Sequence, residues 1–178
     1  MTTNIDLSQL ARAALFSAER HRTQRRKDDP LTPYINHPLQ LMAVLAHEAG
    51  VHDTVVLSGA LLHDVLEDTE TTEAELREHF GDEVTDLVLE MSDDKSLPKQ
   101  VRKDLQVEHA PNASRRARAA KLADKICNLR DVAARAPQGW DLQRRREYFD
   151  WAKRVVDGLR GHWPVLEQLF DTAYALKP

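Results

Sequence analysis

Apolar residues recur along this chain at the three- and four-residue spacing of amphipathic helices, and no run alternates with the two-residue period of a strand. Segments rich in Ala, Leu, Arg and Glu are separated by short stretches marked by Pro, Gly or Asp. The pattern predicts an all-α fold: one helical bundle over residues 1–178, without internal repeat or linker. A first helix is expected from about Leu7 to His21, with Leu7, Leu10, Ala11, Ala14, Leu15 and Ala18 on its inner face. Pro30 and Pro33 end helical structure, and Asn36 is placed to cap a helix over His37 to Ala49 with Pro38 in its first turn. A central helix follows from about Asp53 to Glu67. Thr72 with Glu75 makes a capping box for the next helix, which ends at Phe80-Gly81. Further helices are expected at about Asp82 to Met91, Pro98 to Glu108, Asp141 to Leu159 and His162 to Leu176. Between them, Ser114 caps a long helix to about Ala134 whose inner stripe is Leu122, Ile126, Leu129 and Ala133.

Composition narrows the function. The 178 residues suffice for one substantial core, and 42% hydrophobic with 30% charged content is that of a soluble globular protein. A net charge of -4 speaks against a dedicated nucleic-acid binder. No apolar run approaches the roughly 18 residues of a membrane span, and the N-terminus has no signal-peptide core. The single cysteine, Cys127, excludes an intrachain disulfide framework and suits the reducing cytoplasm; its helical setting is that of a buried structural thiol.

The chemistry gathers at the end of the central helix, in Leu61-Leu62-His63-Asp64-Val65-Leu66-Glu67-Asp68-Thr69. On a continuous helix His63, Asp64, Glu67 and Asp68 share one face, while Leu61, Leu62, Val65 and Leu66 fill the opposite arc. Carboxylates this close repel one another unless a cation lies among them. A solvated polar face is the plain alternative; an adjacent His-Asp pair one turn before a Glu-Asp pair suits a metal site with its own acid-base groups. Asp124 and Asn128 stand one turn apart on the Leu/Ile-rich long helix, an unusual place for polar groups. The basic loop His21 to Lys27 is either a solvated cationic turn or a clamp for a polyanion. His37 opens its helix beside that loop.

The ordered blocks RRKDDPLTPYINHP, ALLHDVLEDTETT, FGDEV, SDDKSLPKQVRK, LQVEHAP, KLADKICNLRDV and PQGWDLQRRREYFDWAKRVVDGLRG resemble those of the small alarmone hydrolases. These are stand-alone HD-domain relatives of the Rel/SpoT hydrolase domain and include the metazoan-type SpoT homologue. The resemblance runs from the first helix to Gly161; the departures, such as Pro-Leu-Gln-Leu-Met after His37, touch no proposed ligand. It implies one divalent cation on His37, His63, Asp64 and Asp124, usually Mn²⁺, though such donors also hold Zn²⁺ or Fe²⁺. It makes Glu67 and Asp68 the catalytic pair. It also turns Arg26, Lys27, Asn128 and Tyr148, with Lys95 and Lys99, toward the nucleotide.

The implied reaction is metal-dependent hydrolysis of (p)ppGpp, the 3′-pyrophosphate of guanosine tetra- or pentaphosphate, to pyrophosphate and GDP or GTP. Its partner would be that small nucleotide, with neither nucleic acid nor membrane involved. Two readings compete. Removal of the 2′-phosphate of NADPH would use the same pocket. A non-catalytic nucleotide-binding HD domain is the other, and a degenerate domain of that kind would lack a member of the set, whereas this chain has them all.

Overall fold

The computed structural model describes residues 5–28 and 31–178, so the expected break at Pro30 lies outside the described residues. These are helical with no strand; an isolated bridge pairs Arg25 with Pro33. They group into two compact units, the described parts of Met1–Arg25 with Pro33–Asp93, and of Arg26–Thr32 with Asp94–Pro178. Among the described residues no helix is long and apolar enough to cross a membrane.

The first unit contains α1 (Leu7–Arg20), α2 (Asn36–Ala43), α3 (Thr54–Leu62), α4 (Val65–Asp68) and α5 (Glu73–Met91). Side-chain caps set most of the starts. The Asp6 carboxylate accepts from Gln9 N–H, Asp53 from Val55 and Val56 N–H, and the Thr72 hydroxyl from Glu75 N–H. The Glu75 carboxylate itself pairs with Arg20. Asn36 does not cap: it is the first residue of α2, and Ile35 before it offers no side-chain acceptor. The turn Val44–Glu48 prolongs α2 with a wider, π-type spacing. At Gly81, φ is 76°, the left-handed conformation that stops the first half of α5 where the sequence predicts a break.

Two expectations for this unit fail, each for a packing reason. In α1 the buried residues are Ala13, Phe16 and Ser17, whereas Leu7 and Leu15 are 74% and 61% exposed. One large ring outweighs a stripe of alanines: Phe16 lies edge-on to Phe80 at 5.3 Å and joins the core of Leu61, Leu62, Val65, Leu76, Val84 and Val88. The central helix is likewise not continuous. It stops at Leu62, turns through His63 and Asp64, and resumes as the single turn α4. The His63 Nδ1 hydrogen-bonds the Ala60 carbonyl at 2.8 Å, the acceptor that Asp64 N–H would use in an unbroken helix. Residues Val56 to Leu62 of α3 are all buried, so the helix is enclosed around its circumference and not amphipathic.

In the second unit, α6 (Lys99–His109), α7 (Arg115–Ala134), α8 (Leu142–Asp157) and α9 (Pro164–Tyr174) follow the expected boundaries closely. The Ser114 hydroxyl caps α7 by accepting from Ala117 N–H, and Asp141 caps α8. α7 packs against both α8 and α9; Leu122, Ile126 and Leu129 are buried as expected, and so is Cys127. Arg118 on α7 is only 9% exposed, and its guanidinium donates to the carbonyls of Ala113, Gly158 and Pro111 at 2.8, 3.0 and 2.5 Å. One fixed fork thereby ties the turn before α7 to the end of α8.

Arg118→Met would leave those carbonyls unsatisfied, so a loss of about 3 kcal/mol in urea unfolding is expected. A Cβ on Gly59 would stand 2.5 Å from Leu87 Cδ2 and 2.9 Å from its Cγ. Gly59→Ala is expected to cost about 1–2 kcal/mol net of its gain in helix propensity. Combined with Leu87→Val, the loss should be smaller than the sum of the two single losses.

Candidate metal centre and carboxylate pair

The end of α3 and the start of α2 bring two imidazoles together. His37 and His63 are both buried, their rings 5.2 Å apart at 65°, each offering a ring nitrogen within 4.8 Å of the other. The bond to the Ala60 carbonyl makes His63 Nδ1 the donor, which leaves the lone pair of a neutral ring on Nε2. That nitrogen lies 2.8 Å from Asp64 Oδ2. Two lone pairs at this distance are held only with a positive charge between them, whether a proton or a metal ion. Burial by itself would raise the Asp64 pKa. The charges of His63 and His37 and the hydroxyl of Tyr34, which donates to Asp64 Oδ2, more than reverse it and keep the carboxyl below the usual range. Buried imidazoles beside a carboxylate held ionised are a donor set that fits a divalent cation.

The break between α3 and α4 makes this pairing possible. On a continuous helix adjacent side chains diverge by about 100°; here the two residues outside regular helix turn their polar ends onto each other. α4 then presents Glu67 and Asp68. Glu67 Oε1 accepts from Asp93 N–H at 2.7 Å, and Asp68 Oδ2 accepts from Gln24 Nε2 at 2.9 Å. Gln24 Oε1 in turn meets His21 Nδ1 at 2.6 Å, and the His21 ring lies 4.8 Å from that of Tyr34. The sequence reads His21 and Gln24 only as part of the basic loop, although His21 is buried, and gives no role to Tyr34, three residues before His37.

The second unit carries the remaining predicted residues. Asp124 is half-buried on α7, accepting from Lys125 Nζ at 2.9 Å and from Asn128 Nδ2 at 2.7 Å. Asp124 and Asn128, one turn apart on this helix, are thus hydrogen-bonded to each other. Arg26 donates to Asp131 at 2.5 Å. Tyr148 on α8 is kept neutral: burial raises its pKa first, Asp124 and Asp131 add to it, and Arg26 opposes. Its ring lies 5.4 Å from Trp140 and 5.3 Å from Trp151. Cations cover these rings, with Lys103 and Lys125 over Trp151 at 4.7 and 4.8 Å and Arg144 over Trp140 at 4.7 Å. Desolvation, then Arg144, Lys27 and Arg102, lower the pKa of Lys99, so Lys27 and Lys99 belong to one crowded cationic surface. Lys95 is exposed in the segment before α6. Trp140, Trp151 and Lys103 are absent from the sequence-based set, because only the packing of α8 against α6 assembles them.

Comparison with known proteins places this arrangement. A family model described as HD domain matches residues 13–150. The guanosine-3′,5′-bis(diphosphate) 3′-pyrophosphohydrolase MESH1 of Xenopus tropicalis is 54% identical over 166 residues, 93% of each chain. The Homo sapiens protein of the same name is 54% identical over 163 residues, 92% of this chain and 91% of its own. A solved structure, described as a metazoan ortholog of SpoT that hydrolyses ppGpp and plays a role in starvation responses, superposes with a TM-score of 0.93 at 45% identity, covering 97% of both chains. The chain belongs to the HD-domain family, and within it to the group of the MESH1 hydrolases.

Proposed function

We propose that this protein is a metal-dependent guanosine-3′,5′-bis(diphosphate) 3′-pyrophosphohydrolase, converting guanosine tetra- or pentaphosphate to GDP or GTP and pyrophosphate. The observation that carries the proposal is the 54% identity to the Xenopus tropicalis enzyme across 93% of both chains. The whole chain, 1–178, serves as one HD-type domain, and a cytoplasmic setting agrees with its single buried thiol.

His37, His63, Asp64 and Asp124 hold the cation in this reading, with Mn²⁺ suited to imidazole and carboxylate donors free of thiolate. The ion supplies positive charge beside the phosphoryl group under attack and lowers the pKa of water. The remaining work falls to side chains. Glu67 and Asp68 orient the attacking water and accept its proton, and each carboxylate is itself held by a hydrogen bond, from Asp93 N–H and from Gln24. Tyr148, held neutral, is a hydroxyl donor for the substrate, and Asn128 lies one helical turn from Asp124. Arg26, Lys27, Lys95 and Lys99 meet the phosphates. The lowering of Lys99 by desolvation and then by Arg144, Lys27 and Arg102 supports this role, because cations gathered around it are relieved by a polyanion.

Pyrophosphate release from guanosine tetraphosphate by the manganese-loaded protein tests the proposal. Chelation should abolish release and Mn²⁺ restore it. Glu67→Ala/Asp68→Ala should lower kcat by roughly 10²–10⁴-fold. Absence of release from folded, loaded protein would overturn the substrate assignment, and release unchanged in the double variant would overturn the catalytic pair. Lys99→Glu should raise KM severalfold with a small change in kcat, and the KM of the parent protein should rise with salt.

A further inference from the structure

Asp68 does not choose its own orientation. Its Oδ2 takes a hydrogen from Gln24 Nε2 at 2.9 Å, across 44 residues of chain. A carboxylate can only accept, so the amide nitrogen of Gln24 faces Asp68 and the amide oxygen faces the other way. That oxygen is 2.6 Å from His21 Nδ1, which must therefore carry the hydrogen. His21 is 2% exposed, its ring packed 4.8 Å from that of Tyr34, and Tyr34 in turn donates its hydroxyl to Asp64. The backbone around the amide is equally fixed. Gln24 N–H donates to the His21 carbonyl at 2.9 Å, and the Gln24 carbonyl accepts from Tyr34 N–H at 3.1 Å and from Arg25 Nη1 at 2.9 Å.

We propose that Gln24 is a positioning residue for Asp68 and that His21 sets the sense of its amide. A terminal amide has two orientations of nearly equal shape. The wrong one would turn a carbonyl oxygen onto Asp68, repel it, and swing the carboxylate away from the water. With the hydrogen on Nδ1, His21 removes that choice, because an N–H donor pairs with the amide oxygen and not with the amide NH2. The inference rests on the proposed catalytic role of Asp68, and the experiment separates the two.

Gln24→Met keeps the length and removes the donor. It is expected to lower kcat roughly 10–100-fold, the scale of lost supporting hydrogen bonds around a reactive group, with KM within about twofold. In an Asp68→Asn background the same substitution should cost nothing further. His21→Asn, whose amide nitrogen can stand near the Nδ1 position, should retain most of kcat, whereas His21→Leu should match Gln24→Met. Gln24→Glu, nearly isosteric, covers the case in which Met misfolds and should lose at least as much kcat by opposing Asp68. Full kcat in Gln24→Met or Gln24→Glu with an inactive Asp68→Asn would overturn the positioning role and leave the catalytic reading standing. An additive loss in the Gln24→Met/Asp68→Asn double variant, or equal kcat in His21→Asn and His21→Leu, would overturn it as well. An Asp68→Asn protein with unaltered kcat would instead remove the catalytic reading on which it stands.

Discussion

The hydrogen bond from His63 Nδ1 to the Ala60 carbonyl is the interaction on which the first unit's chemistry depends. It fixes the ring tautomer, so the other nitrogen presents its lone pair toward Asp64. It also engages a carbonyl that a continuous helix would use, at the point where α3 gives way to α4. One contact thereby sets both which His63 nitrogen faces Asp64 and the turn that brings that carboxylate onto it. A His and an Asp at the end of an enclosed apolar helix would be costly if left unpaired. Mutual pairing, Tyr34 and the Ala60 carbonyl offset that cost and leave a site whose charge balance invites a cation.

Around this pair the polar side chains form a continuous series in the first unit: Asp68, Gln24, His21, Tyr34, Asp64 and His63. The series joins Asp68 to Asp64 and His63 through groups that are themselves buried or half-buried. Such a network is rigid because each member has one low-energy arrangement compatible with its neighbours. The second unit uses a different device. There, cations lie on aromatic faces, Lys103 over Trp151 and Arg144 over Trp140, which holds charge in place without neutralising it. Positive charge therefore remains available to a phosphorylated ligand.

What the sequence determined by itself was local. The starts at Asp6, Asp53, Thr72, Ser114 and Asp141 follow from a side-chain oxygen meeting an N–H two or three residues on. The stop at Gly81 follows from a backbone conformation that glycine adopts freely. The Asp124-Asn128 pair follows from the four-residue spacing of a helix. The residues His63-Asp64 and Glu67-Asp68 were legible as a candidate site, because like charges this close repel one another. Tertiary structure alone decided which way each element turns. Phe16 turned α1 so that Leu10 and Ala14 of the expected stripe flank the core while Leu7 and Leu15 face outward, since buried area and not the count of apolar positions selects the face. The amide of Gln24 against Asp68 and the cation of Lys103 on Trp151 arise from partners that only packing brings within reach, 44 residues distant in the case of Gln24 and Asp68. Periodicity describes one element at a time, and these groups are defined by several.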